Sequence, residues 1–496
     1  MLRKIRITLA VVTFALITGL FLDFTGTLHA WFGWLARIQF LPAVLALNLG
    51  VVAALLLLTL LLGRIYCSVI CPLGIFQDIA AWLGRRGKRH RFRYGYSPAV
   101  SWLRYTVLAV FVIALVAGIG SVVALLAPYS AYGRMVQNLL APLYVWLNNV
   151  AASIAERAGS YAFYEREVWI RSIPTFAVAA ATFVVLVILA WRGGRTYCNT
   201  ICPVGTFLSF FARFSWFKLH IDTDKCVSCG LCARSCKAAC IDPKNHKIDY
   251  TRCVVCGDCI GECHTGAITF THLKKAPSEA PEAPEKVDTG RRSFLVASAL
   301  ATGSALLAQK NKKVDGGLAV IDDKVAPRRT TPVKPAGSLS ISHFAQHCTA
   351  CQLCVGVCPN DVLRPSTDPQ HFMQPTIEYD RGHCRPECTR CSDVCPTGAI
   401  RPVTAADKSS TQIGHAVWIK KNCVVLTDDV DCGNCARHCP VGAITMVNSV
   451  PGDDTSRKIP AVDTERCIGC GACEHLCPAR PFSAIYVEGN EVHRTV

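Results

Sequence analysis

Cys226-Val227-Ser228-Cys229-Gly230-Leu231-Cys232-Ala233-Arg234-Ser235-Cys236 and Cys253-Val254-Val255-Cys256-Gly257-Asp258-Cys259-Ile260-Gly261-Glu262-Cys263 share one spacing, Cys-x2-Cys-x2-Cys-x3-Cys. Three cysteines two residues apart wrap a tight turn around three corners of a [4Fe–4S] cube. The fourth closes a cluster, and in two-cluster ferredoxins it closes the partner's. That crossing predicts Cys236 with Cys253, Cys256 and Cys259, and Cys263 with Cys226, Cys229 and Cys232.

Four further runs follow: Cys348, Cys351, Cys354, Cys358; Cys384, Cys388, Cys391, Cys395; Cys423, Cys432, Cys435, Cys439; and Cys467, Cys470, Cys473, Cys477. The second opens with a three-residue gap and the third with an eight-residue gap. Pro359, Pro396, Pro440 and Pro478 follow the fourth cysteine, as in bacterial ferredoxins; Lys237 and His264 stand there in the first two runs. Pairing in this second module could be sequential or nested. Zinc sites favour paired Cys-x-x-Cys or Cys/His mixtures, and disulfide frameworks belong to small secreted domains without a core. Six [4Fe–4S] runs in one chain describe a path for single electrons.

The chain has 496 residues, 51% of them hydrophobic, and a formal net charge of +17. Its mean hydropathy of +0.31 is too high for an ordinary soluble protein. The basic excess lies beside apolar stretches, which suits cytoplasmic loops. No nucleic-acid motif accompanies it.

Apolar stretches of spanning length occur at about 7–26, 38–62, 103–127 and 173–191, against the roughly 20 residues a helix needs to cross the hydrocarbon core. Arg3, Lys4 and Arg6 precede the first. Arg85, Arg86, Lys88, Arg89, Arg91 and Arg93 separate the second and third, and Arg192 and Arg195 follow the fourth. All fall on one side if the N-terminus is cytoplasmic. Residues 128–172 are then periplasmic, and the first two cysteine runs cytoplasmic.

The apolar half repeats itself. Gly63-Arg64-x-Tyr66-Cys67-x3-Cys71-Pro72-x-Gly74-x-Phe76 matches Gly194-Arg195-x-Tyr197-Cys198-x3-Cys202-Pro203-x-Gly205-x-Phe207. The six runs use 24 of the 29 cysteines and leave Cys67, Cys71, Cys198, Cys202 and Cys240. If a pseudo-two-fold axis joins the repeats, four thiolates converge at the cytoplasmic membrane surface. They would complete a further iron–sulfur centre or a structural zinc site; the alternatives are redox-active thiols or small buried residues. Cys240 has no evident partner and reads as a buried bystander.

These features divide the chain into a membrane domain (1–215), a two-cluster ferredoxin domain (216–270), a linker (271–292) rich in Pro, Ala and Glu, a segment (293–313), and a four-cluster domain (340–496). The segment follows Arg291-Arg292, which resembles a twin-arginine export signal; the alternatives are a fifth membrane helix or a short buried helix. The expected fold is a multi-domain membrane protein: an α-helical four-span membrane domain with an internal repeat, plus α+β ferredoxin-like modules of short helices and two-stranded pieces. Export would place the four-cluster domain in the periplasm, which is the expectation; the alternative is that the linker tethers it in the cytoplasm.

Residues 1–270 resemble the NapH-type membrane quinol dehydrogenase subunit, through the four spans, both Cys-x3-Cys-Pro motifs and the two following runs. Residues 288–496 resemble its exported NapG-type partner, through the paired arginines, four runs and the gap from Cys423 to Cys432. The chain departs by joining both, and by the spacing Cys384-x3-Cys388-x2-Cys391. The resemblance implies oxidation of menaquinol or ubiquinol in a bacterial inner membrane, with electrons passed to a periplasmic reductase or cytochrome. Tyr129, Tyr132 and Arg134, in the stretch that also carries Tyr144 and Trp146, form a candidate quinone site; an interfacial aromatic belt is the alternative. Competing functions are an assembly factor for a respiratory oxidase or reductase, and reverse transfer from a low-potential donor to quinone. No Cys-x-x-Cys-His haem attachment, intramembrane histidine pair or Rossmann glycine motif appears. One difficulty remains: about 30 Å of hydrocarbon would separate the two sets of clusters.

Overall fold

The computed structural model describes residues 2–85, 94–272 and 324–495. The twin-arginine-like stretch, nearly all of the expected linker and the basic residues from Arg86 to Arg93 lie outside the described residues. Leu2–Leu22 and Ile173–Gly193 are unbroken 21-residue helices, long and apolar enough to cross a membrane.

The other two expected spans are divided. Residues 38–62 form Phe40–Leu45 and Leu49–Leu62. Between them Leu47 takes φ 52°, and Asn48 caps the second piece by accepting from the Val51 amide at 3.2 Å. Residues 103–127 divide into Ser101–Val116 and Gly120–Leu126 around Gly118, at φ 72°. A left-handed residue ends the helical hydrogen-bond series, and hydropathy does not register it. Among the described residues, two helices rather than four therefore pass the test of length and hydropathy together.

The repeat is also structural. Tyr66–Val69 and Thr196–Thr200 are short helices; each leads through a cysteine into a second helix, Pro72–Gly84 or Pro203–Ala212, with proline in its first turn. Proline is suited to that place because its missing N–H is one the helix start leaves unpaired anyway.

Both cysteine-rich modules consist of short helices and two-stranded antiparallel sheets. In the first, Phe217–Ile221 pairs with Ile268–His272 in the register Ile221 to Ile268, and Ile241–Asp242 pairs with Lys247–Ile248. In the second, Leu363–Pro365 pairs with Pro375–Ile377, Ile444–Asn448 with Lys458–Val462, and Thr411–Trp418 with Ile485–Thr495. This second module starts earlier than 340. The Val325 amide donates to Asn422 Oδ1 at 2.8 Å, Arg329 pairs with Glu474, and buried Lys334 donates to the Pro375 carbonyl at 3.1 Å.

The modules sit at opposite ends of the helical bundle. At the start of Leu2–Leu22, Arg3 pairs with Asp258 of the first module at 3.1 Å. Near its other end, Arg390 of the second module donates to the Phe24 carbonyl at 3.4 Å, and Arg37 to the Asp393 carbonyl at 3.2 Å. A helix of that length spans about 30 Å. One continuous buried core runs from Val254 and Cys256, through the bundle, to Cys351, Cys354 and Val487.

Candidate electron-transfer centres

Cys67, Cys71, Cys198 and Cys202 are all buried, and the structure brings the four thiols within electrostatic reach of one another. The two halves exchange arginines. Arg64 donates to the Cys198 carbonyl at 3.1 Å and approaches Cys67 Sγ at 3.9 Å; Arg195 donates to the Cys67 carbonyl at 2.5 Å. Gly74 and Gly205 make this possible, because a side chain at either would collide with the opposing arginine and with the carbonyl of Cys67 or Cys198. Gln77 Nε2 lies 3.2 Å from Cys198 Sγ, and the Gly205 amide 3.3 Å from Cys202 Sγ.

The same arginines tie the quartet to the first module. Arg64 donates to the Thr251 carbonyl at 2.9 Å, two residues before Cys253, and the Arg195 amide donates to the Lys237 carbonyl at 2.7 Å, one residue after Cys236. In that module Cys236 gathers with Cys253, Cys256 and Cys259, and Cys263 with Cys226, Cys229 and Cys232. Cys240 is buried, and its Sγ lies 3.6 Å from Cys236 Sγ, with Cys253 also beside it. It therefore touches two members of one quartet rather than standing apart. Asp258 anchors the module: burial works to raise its carboxyl, but Lys237 and Arg3 outweigh this and hold it below the usual carboxylate range.

The second module crosses its runs within two pairs. Cys348, Cys351 and Cys354 gather with Cys395; Cys384, Cys388 and Cys391 with Cys358. Cys423, Cys432 and Cys435 gather with Cys477; Cys467, Cys470 and Cys473 with Cys439. The Cys384 amide donates to the Cys470 carbonyl at 2.9 Å, and Tyr379 lies between those two cysteines, so the two pairs abut.

The helix Pro128–Met135 joins this module to the central quartet. Gly133 lies against the Cys351 carbonyl so closely that a side chain there would collide with it. Tyr129 is within electrostatic reach of Cys351 and Cys395 on one side and of Tyr66 on the other, and Tyr66 of Cys71, Cys67 and Cys202. The order along the molecule is thus the Cys226 set, the Cys253 set, the Cys67 quartet, then the Cys348, Cys384, Cys467 and Cys423 sets. Both ends reach the surface, at exposed Cys229 and at half-buried Cys432 and Cys435.

Among the described residues no group of three or more His, Cys, Asp or Glu is arranged to hold a metal ion. Zinc would need four such groups at about 2.0–2.3 Å from one point. Two of the cysteine sets instead line cavities. Cys358, Cys384, Cys388 and Cys391 line one with Lys408; Cys423, Cys432, Cys435 and Cys477 line another. A cavity walled by four thiols suits a body larger than an ion.

Buried cations accompany the sets, and spacing did not announce them. Lys408 donates to the carbonyls of Arg385 and Cys388. Burial alone would depress its ammonium, but Cys384 and Cys391 outweigh that and raise it. Lys334 lies near Cys348 and Cys354, and Lys237 near Cys256.

The candidate quinone residues are enclosed. Tyr129, Tyr132 and Arg134 are at most 2% exposed. Tyr132 shares a 2.6 Å hydrogen bond with Thr18, and Arg134 donates to the Ala124 carbonyl at 2.7 Å. The Tyr129 hydroxyl has no partner. Tyr144 and Trp146 are exposed, so this stretch holds both an outward belt and a buried row.

Comparison with known proteins agrees with this layout. A 4Fe-4S binding domain model matches residues 44–90 and 175–222, one copy on each Cys-x3-Cys-Pro repeat. A 4Fe-4S dicluster domain model matches 347–399 and 430–480, and a further 4Fe-4S binding domain model 219–242. An uncharacterised protein of Methanocaldococcus jannaschii is 25% identical over 47% of this chain and 73% of its own length. The putative electron transport protein YccM of Escherichia coli is 23% identical over 40% of this chain, which spans 47% of that protein. The methylamine utilization ferredoxin-type protein MauM of Methylobacillus flagellatus is 31% identical over 32% of this chain and 70% of its own length. No solved structure matches the chain significantly. The thiol sets, the domain matches and the coverage of MauM agree: the chain belongs to the ferredoxin-type 4Fe-4S electron-transport proteins.

Proposed function

We propose that the protein is a membrane-embedded iron–sulfur conduit of the quinol dehydrogenase type. It takes electrons from quinol and delivers them to a periplasmic reductase or cytochrome. The observation that carries this reading is the Cys67, Cys71, Cys198, Cys202 quartet, buried between the cysteine sets at the two ends of the bundle. It fills the gap that two separated groups of clusters would otherwise leave.

The six ferredoxin-type sets would hold six [4Fe–4S] clusters, and the central quartet would hold a seventh iron–sulfur centre; each would supply a carrier for one electron at a time. The chain's own residues do the rest. Arg64 and Arg195 hold the two halves of the quartet in register. Lys237, Lys334 and Lys408 place positive charge beside thiolate-rich sites, where it offsets their negative charge. Tyr66 and Tyr129 fill the interval between the quartet and Cys351 and exclude water from it.

The bundle lies in the inner membrane with four crossings, two by unbroken helices and two by divided ones. Exposed Leu57, Ile113, Val116, Val184 and Ile188 give it an apolar outer face. The first module is cytoplasmic and the second periplasmic. The printed roles of the relatives, electron transport for YccM and ferredoxin-type for MauM, accord with this assignment.

Anaerobic addition of a short-chain menaquinol to the purified, cluster-loaded protein tests it. The iron–sulfur visible absorption bleaches if the reading holds. An unbleached spectrum, with dithionite still able to reduce the same sample, overturns it.

A further inference from the structure

The quinol reading needs a place for the headgroup, and the enclosed Tyr129, Tyr132 and Arg134 do not offer one. A cleft lies one turn further along the same segment. Here Pro128–Met135 passes into a π-helix, Val136–Leu140, and then into the helix Ala141–Arg157. Single π turns widen a helix and recur at functional sites. The cleft is narrow and partly open to the outside. Ala141, Pro142, Val145 and Phe176 form an apolar wall, and Gln137, Asn138 and Gln352 a polar floor.

Gln352 is the informative residue. It stands between Cys351 and Leu353, inside the loop of the Cys348 set, in the left-handed conformation at φ 66°. It is 2% exposed. Its Oε1 accepts from Asn138 Nδ2 at 2.9 Å, while its Nε2 has no partner. A buried amide N–H2 without an acceptor is destabilising, and a ligand oxygen in the cleft would satisfy it. Opposite it, Gln137 Oε1 accepts from Arg171 at 3.2 Å, and Arg171 and Arg166 both reach Asp361, at 3.4 and 3.7 Å. Exposed Leu140, Leu143, Ile170 and Ile173 flank the region, an apolar approach of the kind an isoprenoid tail needs.

We propose that this cleft binds the headgroup of a quinone or quinol, with Gln352 Nε2 donating to one ring oxygen and the ring against Phe176 and Val145. The assignment rests on the quinol reading above and deepens it. It sets the ligand beside the loop of Cys348, Cys351 and Cys354. Oxidation of a quinol to the quinone releases two protons and two electrons. The iron–sulfur centre that Cys348, Cys351, Cys354 and Cys395 would hold supplies the one-electron acceptor, and the protons leave to water at the open side of the cleft, beside Asp361.

The test is binding of an azidoquinone photolabel to the full-length, cluster-loaded protein in quinone-free nanodiscs, with labelled peptides mapped by mass spectrometry. Label in residues 137–145, 166–176 or 352–361, displaced by unlabelled quinone, is the expected result. Gln352→Asn keeps a residue that tolerates the left-handed conformation but withdraws the donor, and should weaken binding about tenfold, as loss of one hydrogen bond to a buried group does. Val145→Trp fills the cleft from the helix Ala141–Arg157, which carries no cysteine, and should abolish labelling with iron content unchanged; it decides the matter should Gln352→Asn lose iron. Specific labelling elsewhere, or unchanged binding by Val145→Trp, overturns this site and leaves the quinol reading standing. Absence of any displaceable label on the wild-type protein overturns both.

Discussion

At the scale of single residues, charge placement governs the centres. Lys408 is 6% exposed and lies beside Cys384 and Cys391. Its positive charge favours the reduced, more negative state of whatever that set holds. Lys408→Met should lower the midpoint potential of that centre by about 60 mV, the equivalent of a tenfold shift for one electron; potentiometric titration followed by electron paramagnetic resonance measures it. His493 supplies a pH dependence. Burial lowers its imidazole to about 4 from 6.5, and both ring nitrogens are buried without partners. The unfolded chain therefore binds a proton that the folded chain refuses between those values, so stability falls as pH drops from about 6.5 towards 4. The loss at pH 5 should be about 1–2 kcal/mol. His493→Gln should remove it, read as a smaller drop in the second module's thermal midpoint between pH 7 and pH 5.

At the scale of elements, the two Cys-x3-Cys-Pro hairpins work only as a pair. Each arginine serves the other hairpin's cysteine, and each glycine leaves room for the other hairpin's arginine. Gly205→Ala should displace Arg64 from the Cys198 carbonyl and reduce iron in the central site while leaving the six ferredoxin-type sets loaded. Iron per protein would fall by a fraction, not to near zero, and an unchanged iron content would contradict the assignment. Much of this was legible in sequence. The repeat exposed Arg64, Arg195, Gly74 and Gly205 as matched positions, and cysteine spacing exposed the ligand runs because a cube's geometry imposes itself over a few residues. The helix breaks at Leu47 and Gly118 were not legible, because apolarity continues through them while the backbone turns. The buried lysines were hidden too, since their neighbours lie far away in sequence: Lys334 meets Pro375, and Lys408 meets Arg385. Cys240 looked solitary for the same reason, its contact with Cys253 depending on the folded loop.

At the scale of the whole molecule, a sequence that seemed to strand two groups of clusters on opposite faces of a membrane folds into a single row. Cys67, Cys71, Cys198 and Cys202 come together in the same buried core as Cys256 on one side and Cys351 on the other. Gly133, Tyr129 and Tyr66 close the remaining interval. The crossed pairing of the second module, left open by spacing, follows from two pairs of interleaved loops that abut at Cys384 and Cys470.

Electron transfer across a sealed bilayer tests this row most directly. Proteoliposomes carrying the cluster-loaded protein are filled with ferricyanide and treated outside with dithionite. Wild-type protein should reduce the trapped ferricyanide. Cys67→Ser with Cys198→Ser, its six ferredoxin-type sets still loaded, should slow the reaction at least about tenfold. Reduction by the double variant at the wild-type rate, or none by the wild-type protein, would contradict a conduit through the central quartet.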